Sequence, residues 1–149
     1  MEVVSSPVPN GRYVIAKRHK DVIYTSGMTP RRSGVLVYTG AVKPGCPVED
    51  YRDAAVMATA NAVKAALQLL EAGERICEVL VLTVFVAAEP EFTDHPRIAD
   101  FASTYLYERF GANGVGARAA VGVNSLPGNA TIEIQLSVVV DHVPKFHPA

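Results

Sequence analysis

The sequence predicts an α+β sandwich: a mixed β-sheet of about six strands with two helices on one face. Three observations lead there. Helical periodicity occupies two stretches, 49–72 and 95–110, while strand-like runs come before, between and after them. The resulting order is three strands, helix, strand, helix, two strands. The last strand alternates strictly, with Ile132, Ile134, Leu136, Val138 and Val140 on one side and Thr131, Glu133, Gln135, Ser137 and Asp141 on the other. One face of the sheet is therefore core and the other is too polar to be one.

The elements follow in order. Tyr13–Lys17 and Val22–Ser26 read as short strands about a turn at His19-Lys20-Asp21, and Gly27-Met28-Thr29-Pro30 breaks the second. Arg31-Arg32-Ser33-Gly34 reads as a loop, Val35–Thr39 as a third strand, and Gly40–Pro47 as another loop. Glu49–Ala72 reads as a long helix. Tyr51, Ala55, Ala58, Ala62, Ala65 and Leu69 recur at helical spacing, Glu49 and Asp50 suit the positive end of the helix dipole, and Gly73 suits its stop. The alanine stripe implies close approach to the sheet. Glu78–Ala87 has a nearly continuous apolar centre, as a strand covered on both faces has. His95–Phe110 reads as the second helix, with Thr93 or Asp94 as cap, Pro96 in the first turn and Gly111 at the end. A glycine loop, Ala112–Gly116, leads to the last two strands, and His142–Ala149 is a tail.

Leu126-Pro127-Gly128-Asn129 has turn composition and is expected to join those last two strands as a hairpin. Placing valines beside isoleucines pairs Val123 with Ile132 and Gly122 with Glu133. Arg118 and Glu133 then share a face, about 13 Å apart along the backbone, with room for a small molecule between them. That face is expected to carry Arg118, Asn124, Glu133, Gln135 and Ser137, with space left at Ala120 and Gly122 for a ligand or a second subunit.

The chain has 149 residues, enough for one domain (1–149) with a sizeable core; 49% of it is hydrophobic and 19% charged, at a net charge of −1. No basic excess points to nucleic acid, and no apolar run approaches a membrane span. Cys46 and Cys77 have no metal-ligand spacing, and His19, His95, His142 and His147 form no pattern, so no metal site is expected. Met1–Asn10 lacks an apolar signal core. A cytoplasmic protein with no nucleic-acid or membrane partner is the expectation.

Three segments together resemble the YjgF/Rid family, the reactive-intermediate deaminases also called endoribonuclease L-PSP. Gly11-Arg12-Tyr13-Val14-Ile15-Ala16 is similar to the family's Gly-Pro-Tyr-Ser-Gln-Ala. Val22-Ile23-Tyr24-Thr25-Ser26-Gly27-Met28-Thr29-Pro30 is similar to its strand ending in Ser-Gly-Gln-x-Pro. Ala117-Arg118-Ala119-Ala120-Val121, Leu126-Pro127 and Ile132-Glu133-Ile134 resemble its Ala-Arg-Ser-x-Val, Leu-Pro and Glu-Ile signature. Phe92-Thr93-Asp94-His95-Pro96 resembles a longer-loop branch. The resemblance implies a chorismate-mutase-like fold, a homotrimer with sites in clefts between subunits, and hydrolysis of enamines or imines to a 2-oxo acid and ammonia without a cofactor.

Carried over residue by residue, the resemblance gives Arg118 the substrate carboxylate and Glu133 the acid/base work. Tyr13 becomes the site tyrosine, Ser26 and Gly27 the Ser-Gly turn, and Ala120 stands where many members have cysteine. Ile15 and Met28 replace glutamines, Gly116 replaces a proline, and Asp100 is the candidate for the family's asparagine on the second helix. The chemistry suits these types: a guanidinium grips a carboxylate with two parallel bonds, and a glutamate beside an apolar strand can hold and pass a proton. Other readings stand beside it. Arg118 and Glu133 alternatively form only an ion pair between subunits, Tyr13 is a packing aromatic, Cys77 is core and Asp100 is a solvated helix residue. The whole protein is alternatively a non-catalytic trimer that binds small carboxylate metabolites.

Overall fold

The structure is a computed structural model that describes residues 6–145 and residue 148. The end of the expected tail, including His147, lies outside the described residues. Strands β1 (Ala16–His19) and β2 (Val22–Thr25) form a hairpin with Lys20 in the left-handed region at its tip, φ 53°. The first strand begins later than the expected Tyr13. Residues 13–15 instead run as an irregular segment held by Ser26, whose amide donates to Ile15 O (2.8 Å) and whose hydroxyl donates to Val14 O (2.6 Å).

Arg31 and Arg32, expected in a loop, form the two-residue strand β3 (Arg31–Arg32). It pairs with β4 (Val35–Leu36), a shorter strand than the expected Val35–Thr39, in a ribbon of its own. The expected long helix is a 3-10 turn (Val48–Tyr51) followed by helix α1 (Arg52–Leu67). Ala55, Ala58, Ala62 and Ala65 are fully buried, as the stripe requires. Strand β5 (Glu74–Ala87) starts at Glu74 rather than Glu78. Helix α1 ends at Leu67, with Gln68 at its C-cap, and not at the expected Ala72 before Gly73; Gly73, at φ 83°, instead turns the chain into β5, where Glu74 pairs with His142. Helix α2 (His95–Phe110) has the expected bounds, with Asp94 at the N-cap position but making no side-chain cap bond.

The last strands, β6 (Ala117–Val123) and β7 (Ile132–His142), do not form the expected hairpin. The five-stranded sheet has the order β1-β2-β7-β5-β6. Strand β5 lies between the other two, antiparallel to β7 and parallel to β6. The physical reason is burial. The apolar centre of β5 belongs in the interior of the sheet, and a strand with Arg118, Gly122 and three alanines tolerates the edge. The α2 crossover supplies the long connection that a parallel pair needs.

This order also corrects the shared face. Residues paired across neighbouring strands project to the same side. Glu133 is opposite Phe85, and Phe85 is opposite Val121; Arg118 is opposite Leu82, and Leu82 is opposite Leu136. Leu82 and Leu136 are buried under the helices, so Arg118, Ala120 and Gly122 face α2, while Glu133 faces away. Ala120 and Gly122, not the valines, share the core side with Ile134 and Ile132. Asn124 follows the end of β6. Helix α1 packs on β7 and β2, and α2 on β5 and β6, so both helices cover one face as predicted. The other face bears Glu133, Gln135 and Ser137, together with exposed Tyr24, Val81 and Val121. Among the described residues no helix is long and apolar enough to cross a membrane.

Candidate active site

The pocket that contains Glu133 is about 330 Å³ in volume, at the small-metabolite end of ligand sites. The segment Ser6–Tyr13, the loop after β2, Asn61 of α1, Pro127 and Glu133 bound it. Its geometry is set by one backbone pairing. Met28 N donates to Ile134 O (2.7 Å) and Ile134 N donates to Met28 O (2.8 Å), which holds the loop after β2 flat against β7. Gly27 is thereby pressed onto the neighbouring Glu133. A Cβ on Gly27 would stand 2.5 Å from the Glu133 carboxyl carbon, so the absence of a side chain makes room for the carboxyl group.

Glu133 is half-buried, and burial pushes its carboxyl above the usual carboxylate range. Such a group holds a proton more readily than a solvated glutamate and can return one to a leaving amine. Tyr13 lines the same pocket. Its hydroxyl accepts a hydrogen bond from Asn10 N (3.1 Å), and nearly half of the residue is exposed. Ser26 acts behind the site by fixing the strand end and the segment that carries Tyr13.

Arg118 is elsewhere. Its Nη1 donates to Asp100 Oδ1 (2.7 Å) and to Ser103 Oγ (3.1 Å), both on α2. Asp100, read as a solvated helix residue or as a counterpart of an asparagine, is instead the ionic partner of Arg118 while still largely exposed. Ala120 lies two residues along the same face, against the core. Beyond it Gly122 leaves room for the His95 imidazole, which a Cβ at that position would meet. The structure thus brings Tyr13, Gly27 and Glu133 together, with Ser26 in support. It does not bring Arg118 or Ala120 to them within one chain.

Asn61 and Arg31 were not singled out by the sequence reading. Asn61 Nδ2 donates to Thr29 O (3.0 Å) and Arg31 O (2.9 Å), tying the pocket loop to α1. Its signal was present: one asparagine interrupting a stripe of alanines, nine-tenths buried. Arg31 had no comparable signal, since only the fold brings it to the pocket that holds the glutamate. Among the described residues no group of three or more His, Cys, Asp or Glu side chains is placed to hold a metal ion.

Comparison with known proteins agrees with the motif resemblance. The family model described as endoribonuclease L-PSP matches residues 3–140. The 2-iminobutanoate/2-iminopropanoate deaminase of Dermatophagoides farinae is 31% identical over 136 residues, 91% of each chain. Among solved structures, Atu1372 of Agrobacterium tumefaciens, whose function is unknown, superposes with a TM-score of 0.79 at 35% identity, covering 93% of this chain and 87% of that one. A protein from Shewanella oneidensis MR-1 superposes with a TM-score of 0.83 at 26% identity, covering 93% and 92%. The family model spans nearly the whole chain and the curated relative passes 30% identity over most of it, so this chain belongs to the endoribonuclease L-PSP family, the YjgF/Rid proteins.

Proposed function

We propose that the protein is a hydrolytic deaminase of enamine and imine intermediates, releasing a 2-oxo acid and ammonia. The observation that carries this reading is Glu133: a half-buried carboxyl, raised by burial, at the wall of a small-metabolite pocket and pressed against a glycine. The name of the Dermatophagoides farinae relative supports the same chemistry. Glu133 takes a proton from a bound water as the oxygen attacks the C=N carbon. Glu133 returns that proton to the imine nitrogen, giving a neutral carbinolamine, and then carries the carbinolamine's hydroxyl proton to the same nitrogen as C=O forms, the C–N bond breaks and ammonia leaves.

Arg118 is proposed to hold the substrate carboxylate from a neighbouring subunit of a homotrimer. It lies on the edge strand and on the side of the sheet away from Glu133, so a single chain cannot offer both groups to one ligand. The exposed Tyr24, Val81 and Val121 on the uncovered face support docking of another copy there. The test is turnover of an imine made in situ by an amino-acid oxidase, read by semicarbazide trapping. Arg118→Ala is expected to abolish turnover of a carboxylate-bearing imine and leave the oligomer intact; unchanged turnover overturns that role. Binding of the carboxylate product without accelerated imine loss would instead favour a non-catalytic metabolite binder.

A further inference from the structure

Glu133 and Arg31 are the only charged side chains that line the pocket among the described residues. They form no ion pair with one another, and among the described residues Arg31 pairs with no carboxylate, whereas Arg18, Arg75, Arg97 and Arg118 each do. The backbone of Arg31 is nevertheless fixed on both sides, and its guanidinium is tethered by one bond. Its amide donates to Thr29 O (2.8 Å), its carbonyl accepts from Asn61, and its Nη1 donates to Gly34 O (2.9 Å). Its Nη2 lies near Gly128, 3.7 Å from where a Cβ on that residue would stand, and donates to no acceptor among the described residues. Outside the pocket Arg31 also borders a groove of about 360 Å³ that carries Arg32 and Lys64 against Asp53. Three cations to one anion there give the approach a positive potential.

We propose that Arg31 anchors a second anionic group of the substrate, so that the preferred imines are those of dicarboxylic 2-oxo acids. The inference rests on the deaminase reading for its chemistry: Arg118 of a neighbouring subunit takes the carboxylate beside the imine, Glu133 faces the C=N carbon, and Arg31 takes the carboxylate at the far end. A preorganised planar donor with an open edge matches a carboxylate better than it matches the aliphatic end of a monocarboxylate. A partly buried cation left without an anion by an aliphatic ligand also disfavours that ligand.

The experiment separates Arg31 from the deaminase reading by measuring binding and turnover independently. Binding of 2-oxoglutarate and of 2-oxobutyrate to the full-length protein is measured by calorimetry, and turnover is measured on imines generated from glutamate and from 2-aminobutyrate. Wild type is expected to bind the dicarboxylate at least about 10-fold more tightly. Arg31→Ala is expected to remove that ratio by weakening only the dicarboxylate, and Arg31→Lys, which retains charge but not the fork, to keep part of it. Should Arg31→Ala fail to fold, Arg31→Lys still reads the ratio. If neither imine is turned over but the Arg31-dependent ratio persists, the deaminase reading fails and the anchor stands. Equal affinities in wild type, or a ratio unchanged in both variants, overturns the anchor whatever the turnover.

Discussion

Burial of Glu133 has opposite effects on stability and chemistry. Desolvation raises its folded-state pKa above that of the unfolded chain, so the native state binds the proton more tightly. Stability from this group is therefore greatest below the unfolded value of about 4.3 and declines as pH rises through the folded value. Glu133→Gln removes the charge and keeps the shape. It is expected to raise the urea midpoint at pH 7, with the gain disappearing below about pH 4, while kcat falls by about 10²–10⁴-fold. Urea titrations at the two pH values and the semicarbazide assay check both halves. At this scale the motifs named Tyr13, Gly27 and Glu133, and these three line one pocket. Arg31 was illegible because its neighbours there, Pro127 and Glu133, are about a hundred positions away in the chain.

Two elements carry separable parts of the stability. Helix α1 lies close to the sheet because its contact stripe is alanine, with Ala55, Ala58, Ala62 and Ala65 fully buried. Ala62→Leu has no space to enter and is expected to cost about 1–3 kcal/mol in urea denaturation. The start of β5 is tied to β1 by a two-pronged ion pair, Arg18 Nη1–Glu74 Oε2 (2.6 Å) and Arg18 Nη2–Glu74 Oε1 (2.7 Å), while Glu71 N also donates to Glu74 (2.7 Å). The Arg18 guanidinium and the Glu71 amide hold the Glu74 carboxyl down at about 2. Its contribution is present above the unfolded carboxylate pKa and is lost as pH falls through about 2. Glu74→Gln is expected to flatten the acid limb of the stability–pH curve between about pH 4.5 and 2, leaving its neutral shape unchanged. The helix periods and the alternation of β7 were legible because each element reports its own exposure. The pairing of β6 was not, because period-2 alternation says which residues share a side within a strand and nothing about which strand lies next to it.

At the scale of the molecule, placing Arg118 and Glu133 on opposite faces makes the proposed site a property of the assembly. Mixing Arg118→Ala subunits with Glu133→Gln subunits tests this directly. Each variant alone is expected to be inactive. A reassembled equal mixture should recover about a quarter of wild-type turnover, the fraction of seams that receive one intact residue from each side. No recovery, with mixed trimers confirmed by mass spectrometry, would place both groups in a single chain's site.

Local periodicity and composition are written residue by residue, so they sufficed for the α+β class, the two helices and their buried stripe, the polar side of β7 and the residues worth attention. The fold alone shows that β5 separates β6 from β7, that Arg118 pairs with Asp100 on α2, and that Arg31 and Glu133 line one pocket. These follow from competition among strands for the buried centre of the sheet, a comparison that no single segment contains.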